Sequence, residues 1–213
     1  MSLNLDSNTK APKVSFQTSK LAQGVSINLS KANPYLKRVG VKINWKGDDL
    51  DISAVGKCSD EKALMNIVQV DYKGRTETVP RDLIFYMNLE QNGIKHGGDL
   101  VSTGDEESEA INIAAQDLND DVKGIDFIIT SHVESGKPLL FKDVTDMRAE
   151  MIDLDTNQVI YQTELDSSSI MHHTGAVFAK IYKEGGEWNY KVDTQGLGME
   201  PHGVQNILNH YYA

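Results

Sequence analysis

Two groups of carboxylates carry most of the chemistry this chain could perform. The first is the segment Asp-Asp-Leu-Asp-Ile-Ser at 48–53. Side chains alternate along a strand, so Asp49, Asp51 and Ser53 fall on one side and Leu50, Ile52 and Ala54 on the other. Aspartate is disfavoured within strands and like charges on one face destabilise a sheet, so this pair calls for an offsetting cation. The second group lies in Gly-Gly-Asp-Leu-Val-Ser-Thr-Gly-Asp-Glu-Glu-Ser-Glu at 97–109, which supplies Asp99, Asp105, Glu106, Glu107 and Glu109. Gly97, Gly98 and Gly104 give that backbone the freedom to fold carboxylates around one point. Calcium takes about six to eight oxygens at roughly 2.3–2.6 Å in flexible geometry, which such a loop can provide, whereas magnesium keeps its waters. No soft ligand in the run favours zinc or copper. The alternating acids and central glycine of an EF-hand loop are missing, so a site here is assembled from separate segments. From composition alone, a solvated acidic surface loop is an equal reading.

Other chemistries find less support. Histidines at 96, 132, 172, 173, 202 and 210 form no spaced zinc pattern, and His172 and His173 in a strand would point to opposite faces, so all read as structural. Nucleophile-elbow, Walker and dinucleotide-binding motifs are absent. Glycoside hydrolysis by a carboxylate pair requires a sugar-binding cleft, usually with aromatic platforms, and Trp45 and Trp188 both fall in strand patterns that read as core. No catalytic residue is assigned. The single cysteine, Cys58, reads as a packing residue in a reducing, cytoplasmic compartment.

The formal charge of −10 over 213 residues repels phosphate backbones and anionic lipid, so nucleic acid is not an expected partner. No apolar run reaches the roughly 18 residues that span a bilayer, and no membrane insertion is expected. The charge is uneven: no Lys or Arg falls between Lys95 and Lys123, while eight acids do. That segment must repel itself or hold cations.

Positioning these groups requires strands. In 37–45, Val39, Val41, Ile43 and Trp45 alternate with Arg38, Gly40, Lys42 and Asn44, the pattern of a half-buried strand. Further strands are expected at 14–18, 24–30, 50–55, 65–71, 83–87, 110–115, 125–131, 145–152 and 157–164. Asp155-Thr156-Asn157 and Gly185-Gly186 read as hairpin turns. Helix is scarce: a turn or two within 116–123, and a packing helix near the end in which Val204, Ile207, Leu208 and Tyr211 share one face. The expected fold is mostly β, an antiparallel two-sheet β-sandwich with a short C-terminal helix. Residues 1–13 read as a disordered or loosely attached leader and 14–213 as one domain.

These residues resemble a family, the tellurium-resistance TerD stress proteins. Leu21 to Trp45 looks like the family's opening strands, and Asp49-Leu50-Asp51-Ile52-Ser53 is similar to its DLDAS segment. Ile84-Phe85-Tyr86-Met87-Asn88 is close to IFYNN, Gly98-Asp99 matches the GD that opens the acidic loop, and 104–109 matches GDGDDE. Further on, 128–132 resembles VVTIH, Phe141 falls where a phenylalanine is expected, and 185–196 is similar to GGEWKFRAVGQG. The resemblance implies a calcium-binding, non-enzymatic cytoplasmic β-sandwich of the stress response. It also implies that Asp49, Asp51, Asp99, Asp105, Glu106, Glu107 and Glu109 converge on calcium, with other stress-response proteins as further partners. Departures from the pattern are Leu100 for asparagine, Glu106 for glycine and Ser108 for aspartate, and the stretch between Cys58 and Pro80 looks longer than the family norm. Fewer ligands imply one site rather than two, or weaker affinity, and a metal-free β-sandwich interaction scaffold is the alternative.

Overall fold

The structure, a computed structural model, describes residues 18–33, 36–59, 62–100, 106–131, 133–134, 137–138, 140–197, 208 and 212. In chain order the elements begin with β1 (Ser19–Lys20), β2 (Ser26–Asn28), the helical turn α1 (Leu29–Ala32), β3 (Arg38–Gly47) and β4 (Leu50–Lys57). A ribbon follows, β5 (Ile67–Tyr72) and β6 (Arg75–Pro80), then β7 (Leu83–Ile84), β8 (Glu90–Gln91), β9 (Ile94–Leu100) and β10 (Glu107–Ala114). The remainder comprises β11 (Gly124–Ser131), β12 (Val133–Glu134), β13 (Lys137–Pro138), β14 (Val144–Asp153), β15 (Gln158–Glu164), β16 (Gly175–Glu184) and β17 (Glu187–Leu197).

One sheet runs β1-β15-β14-β3-β10-β9-β8 and a second runs β2-β17-β16-β11-β4-β7. The short β1–β15 pair is parallel and the other pairs are antiparallel. The alternation read from 37–45 is the physical basis of the core. Val39, Val41, Ile43 and Trp45 are buried and share one apolar cluster with Leu50, Ile52, Ala54, Phe127 and Phe178 of the other sheet. Trp45 is 1% exposed, and its indole N–H donates to the Asp48 carbonyl at 3.0 Å, pinning the turn into β4. Gly47 makes that turn possible: its φ is +109°, and a Cβ there would meet the Asp143 carbonyl oxygen.

The six-stranded sheet carries a second apolar layer on its other face. Val55, Ile128 and Val177 pack there beneath Val79, Leu83 and Phe85, together with Leu208 and Tyr212. Alternation also turns Lys57 and Asp126 to this face, where they form a buried ion pair at 2.8 Å, and the Tyr212 hydroxyl donates to Asp126 at 2.8 Å.

Several sequence expectations need correcting. The strand expected over 24–30 stops at Asn28, because the Asn28 side chain accepts from Lys31 N–H at 2.8 Å and caps α1. The one expected over 83–87 stops at Ile84. Asn88 closes a tight turn there, donating to the carbonyls of Arg81 and Leu83 at 3.0 and 2.8 Å. Cys58 is exposed just beyond the end of β4 rather than packed. His172 and His173 lie at a turn, not in a strand. β6, β8 and β9 match none of the expected strands; Lys73–Gly74 and Asn92–Gly93, all at positive φ, make the two-residue reversals that create them. The expected leader, strand 14–18 and C-terminal helix lie almost wholly outside the described residues; near the end only Leu208 and Tyr212 are described, and both are buried.

Trp45→Ala should cost about 3–5 kcal/mol, read from chemical denaturation, because a fully buried indole leaves a cavity. Burial and the neighbouring Asp126 carboxylate push the Tyr212 phenol up. A phenol raised on folding contributes stability that is full below its unfolded value of about 10 and is lost as pH rises above it. Stability should therefore fall steeply on the alkaline side, and Tyr212→Phe should flatten that fall. Identical alkaline slopes in the two proteins would contradict the placement of Tyr212.

Candidate functional site

β4 has an open edge over part of its length. It pairs with β11 throughout, but with β7 only at Ala54 and Val55. At the open stretch, Ile52 turns its backbone groups away from β11, and buried peptide groups of this kind must find partners. Two side chains of the other sheet supply them. A Glu109 carboxylate oxygen accepts from Ile52 N–H at 2.7 Å, and His96 Nε2 lies 3.2 Å from the Ile52 carbonyl oxygen. Gly98 N–H donates to His96 Nδ1 at 3.0 Å, which assigns the proton to Nε2 and makes the imidazole a donor to that carbonyl. Glu109 and His96 thus stand in for a missing strand. Both are largely buried, with side-chain exposures of 9% and 7%.

The local sequence explains how they come together. Glu109 lies opposite Ile43 on the core-facing side of β10, while Ile111 pairs with His96 on β9. The Gly97–Gly98 pair inserts an irregularity between those two positions. Gly98 has φ +74°, and a Cβ at Gly97 would come within 2.9 Å of the Ala110 carbonyl oxygen. This bulge lets Gly98 turn its N–H to His96, and it places the Cα of Asp99 opposite Glu109.

The sequence-predicted acids divide. Asp99 and Glu109 are cross-strand partners, and Glu107 lies two residues before Glu109 on the same side of β10, exposed at the strand's start. Asp51 precedes Ile52 but alternates to the opposite face of β4, where its field adds to burial and to Tyr72 in pushing the Tyr86 phenol up. Asp49 is exposed in the turn before β4. Glu106 forms an ion pair with Arg148 of β14 at 3.1 Å. Asp105 lies outside the described residues. Among the described residues no group of three or more His, Cys, Asp or Glu is close enough to hold a metal ion. The acids of this strand pair offer only oxygen, the ligand type that a hard cation takes, and the β9–β10 register sets the backbone of Asp99 opposite that of Glu109.

His96 and Arg148 are the site residues that the sequence reading missed. A search for spaced zinc motifs discards His96, although its position directly before Gly97-Gly98-Asp99 is a usable signal. Arg148 reaches Glu106 from a strand some forty residues away in sequence, and only the β14–β3–β10 order brings them together.

Removing the clamp has a measurable consequence. Glu109→Ala leaves the Ile52 N–H without its carboxylate and should cost about 1–3 kcal/mol in chemical denaturation. Glu109→Gln keeps an acceptor oxygen and should cost less. Equal losses in the two variants would show that the bond to Ile52 contributes nothing.

Residues 18–211 match the TerD domain. General stress protein 16U of Bacillus subtilis (strain 168) is 26% identical over 190 residues, which covers 84% of this chain and 91% of the relative. The tellurium resistance protein TerD of Serratia marcescens is 26% identical over 179 residues, covering 83% and 89%. A crystal structure of SAV2460, a protein of unknown function, superposes with a TM-score of 0.55 at 16% identity, covering 78% of this chain and 92% of that one. Because the TerD domain matches residues 18–211, nearly the whole of the 213-residue chain, this protein belongs to the TerD family.

Proposed function

We propose that this protein is a calcium-binding, non-enzymatic member of the cytoplasmic stress response, built as a two-sheet β-sandwich in which the ion orders the acidic run at 97–109 against β4. One observation carries the reading: the β9–β10 register sets Asp99 opposite Glu109. Carboxylates directly opposite each other destabilise a strand pair unless a cation lies between or beside them. Glu107 lies on the same side of β10 two residues away, and the Glu109–Ile52 bond would carry the effect of a bound ion into the second sheet. Calcium would supply charge compensation there and nothing chemical. The stress and tellurium-resistance names of the relatives support the physiological setting. The cytoplasmic assignment rests on the lone Cys58, which cannot form an internal disulfide.

A second reading, a metal-free scaffold for protein partners, is favoured by one feature. Glu106 and Glu109 already have protein partners, in Arg148 and in Ile52 N–H, without any ion.

Thermal unfolding of metal-stripped protein at matched ionic strength separates the two. On the calcium reading, free calcium at about 100 times its dissociation constant adds roughly 2.7 kcal/mol, and magnesium adds less. Asp99→Asn should stabilise the metal-free form by removing a repelling charge, and should abolish the preference for calcium. Equal responses to calcium and magnesium, through screening alone, would leave the scaffold reading in its place.

A further inference from the structure

The segment between β4 and β7 contains the β5–β6 ribbon, whose strands pair with each other and with no other strand among the described residues. Its reversal at Lys73–Gly74, with φ of +51° and +75°, is a two-residue hairpin turn, so Tyr72 and Arg75 are a hydrogen-bonded pair. Alternation along β5 then directs the N–H and C=O groups of Tyr72, Val70 and Val68 toward β6. Those of Asp71, Gln69 and Ile67 face outward, where no strand among the described residues pairs with them. The usual protections are thin. β5 holds no proline and a single charge, Asp71, and Ile67 at its start is 70% exposed beside Met65 at 44%.

We infer that this edge is a self-association site, at which β5 pairs antiparallel with β5 of a second copy about a two-fold axis at Val70. The register follows from complementarity. Centred on Val70, the pairing sets Gln69 opposite Asp71 of the other copy, amide to carboxylate, with their outward backbone groups in line. Val68 then meets Tyr72, a β-branched residue against an aromatic ring, which is a favourable cross-strand pair. Centring on Gln69 instead puts Ile67 opposite Asp71, and centring on Asp71 puts two carboxylates face to face.

Charge also selects this surface. The chain carries −10, yet the ribbon from Ile67 to Pro80 balances Asp71 and Glu77 against Lys73 and Arg75. Two copies can approach here without the repulsion that the acidic run would impose. The contact is isologous and closes at two copies. A single strand pair buries little area, so the dimer is weak and depends on concentration.

Sedimentation velocity of the full chain, from low to high micromolar protein, tests this. The expected result is a shift from monomer to dimer with rising concentration. Gln69→Glu places a second carboxylate opposite Asp71 at both symmetry-related positions, and should weaken the dimer by about 2- to 30-fold. Gln69→Lys should strengthen it over a similar range. Gln69→Pro removes an outward N–H and leaves the β5–β6 ladder in place, so it should abolish the dimer while circular dichroism stays unchanged. A monomer at every concentration overturns the inference. So does a dimer indifferent to Gln69→Pro, or one that Gln69→Glu and Gln69→Lys shift in the same direction.

Discussion

The arrangement of this protein depends on how the open edge of β4 is satisfied. Buried peptide groups without partners are costly, and β7 is too short to pair with Ile52. Glu109 and His96 reach across from the other sheet and take the Ile52 N–H and C=O between them. That demand fixes much else. Glu109 must face the core side of β10, His96 must present its Nδ1 to Gly98, and the Gly97–Gly98 bulge must set the register that follows. The two sheets are thereby joined by directional bonds as well as by the apolar cluster around Trp45 and Phe127.

The same register brings a cost and a use for it. Once the bulge has placed Asp99 opposite Glu109, two acids share a cross-strand position, at the start of a segment with no basic residue before Lys123. A carboxylate that also holds a backbone N–H of the other sheet couples anything bound beside it to the packing of both sheets. Asp51 faces the opposite side of β4, toward Tyr86, which itself stacks edge-on against Tyr72 of the ribbon at 5.6 Å. The acidic site and the ribbon are therefore neighbours on the two sides of one strand.

Much of this was legible in the sequence, for physical reasons. Strict alternation over 38–45 and 49–54 revealed two strands and their buried faces, because the pleat leaves no other way to bury Val41, Ile43 and Trp45 together. Gly185–Gly186 was readable as a turn because few residues tolerate positive φ at two successive positions. Lys73–Gly74 makes the same reversal with a lysine first, which disguises it, whereas Asn92–Gly93 is a hairpin signal in its own right that lies outside the expected turns. The acids were found as a composition, yet their partners were not. Whether Glu106 meets a cation or Arg148, and whether Glu109 meets a peptide N–H, depends on strand order. The buried Lys57–Asp126–Tyr212 contact was invisible for the same reason, since each member looks like an ordinary surface residue until the second apolar layer is assembled.

The claim that the β9–β10 register holds a cation is tested most directly by a crystal structure grown in calcium, with anomalous scattering used to locate the ion. A calcium peak is expected beside the Asp99–Glu109 pair, with carboxylate oxygens at about 2.3–2.6 Å and the Glu109 bond to Ile52 N–H retained. Saturating calcium with no peak at that pair, or a peak only on the exposed side chain of Asp49, would contradict it.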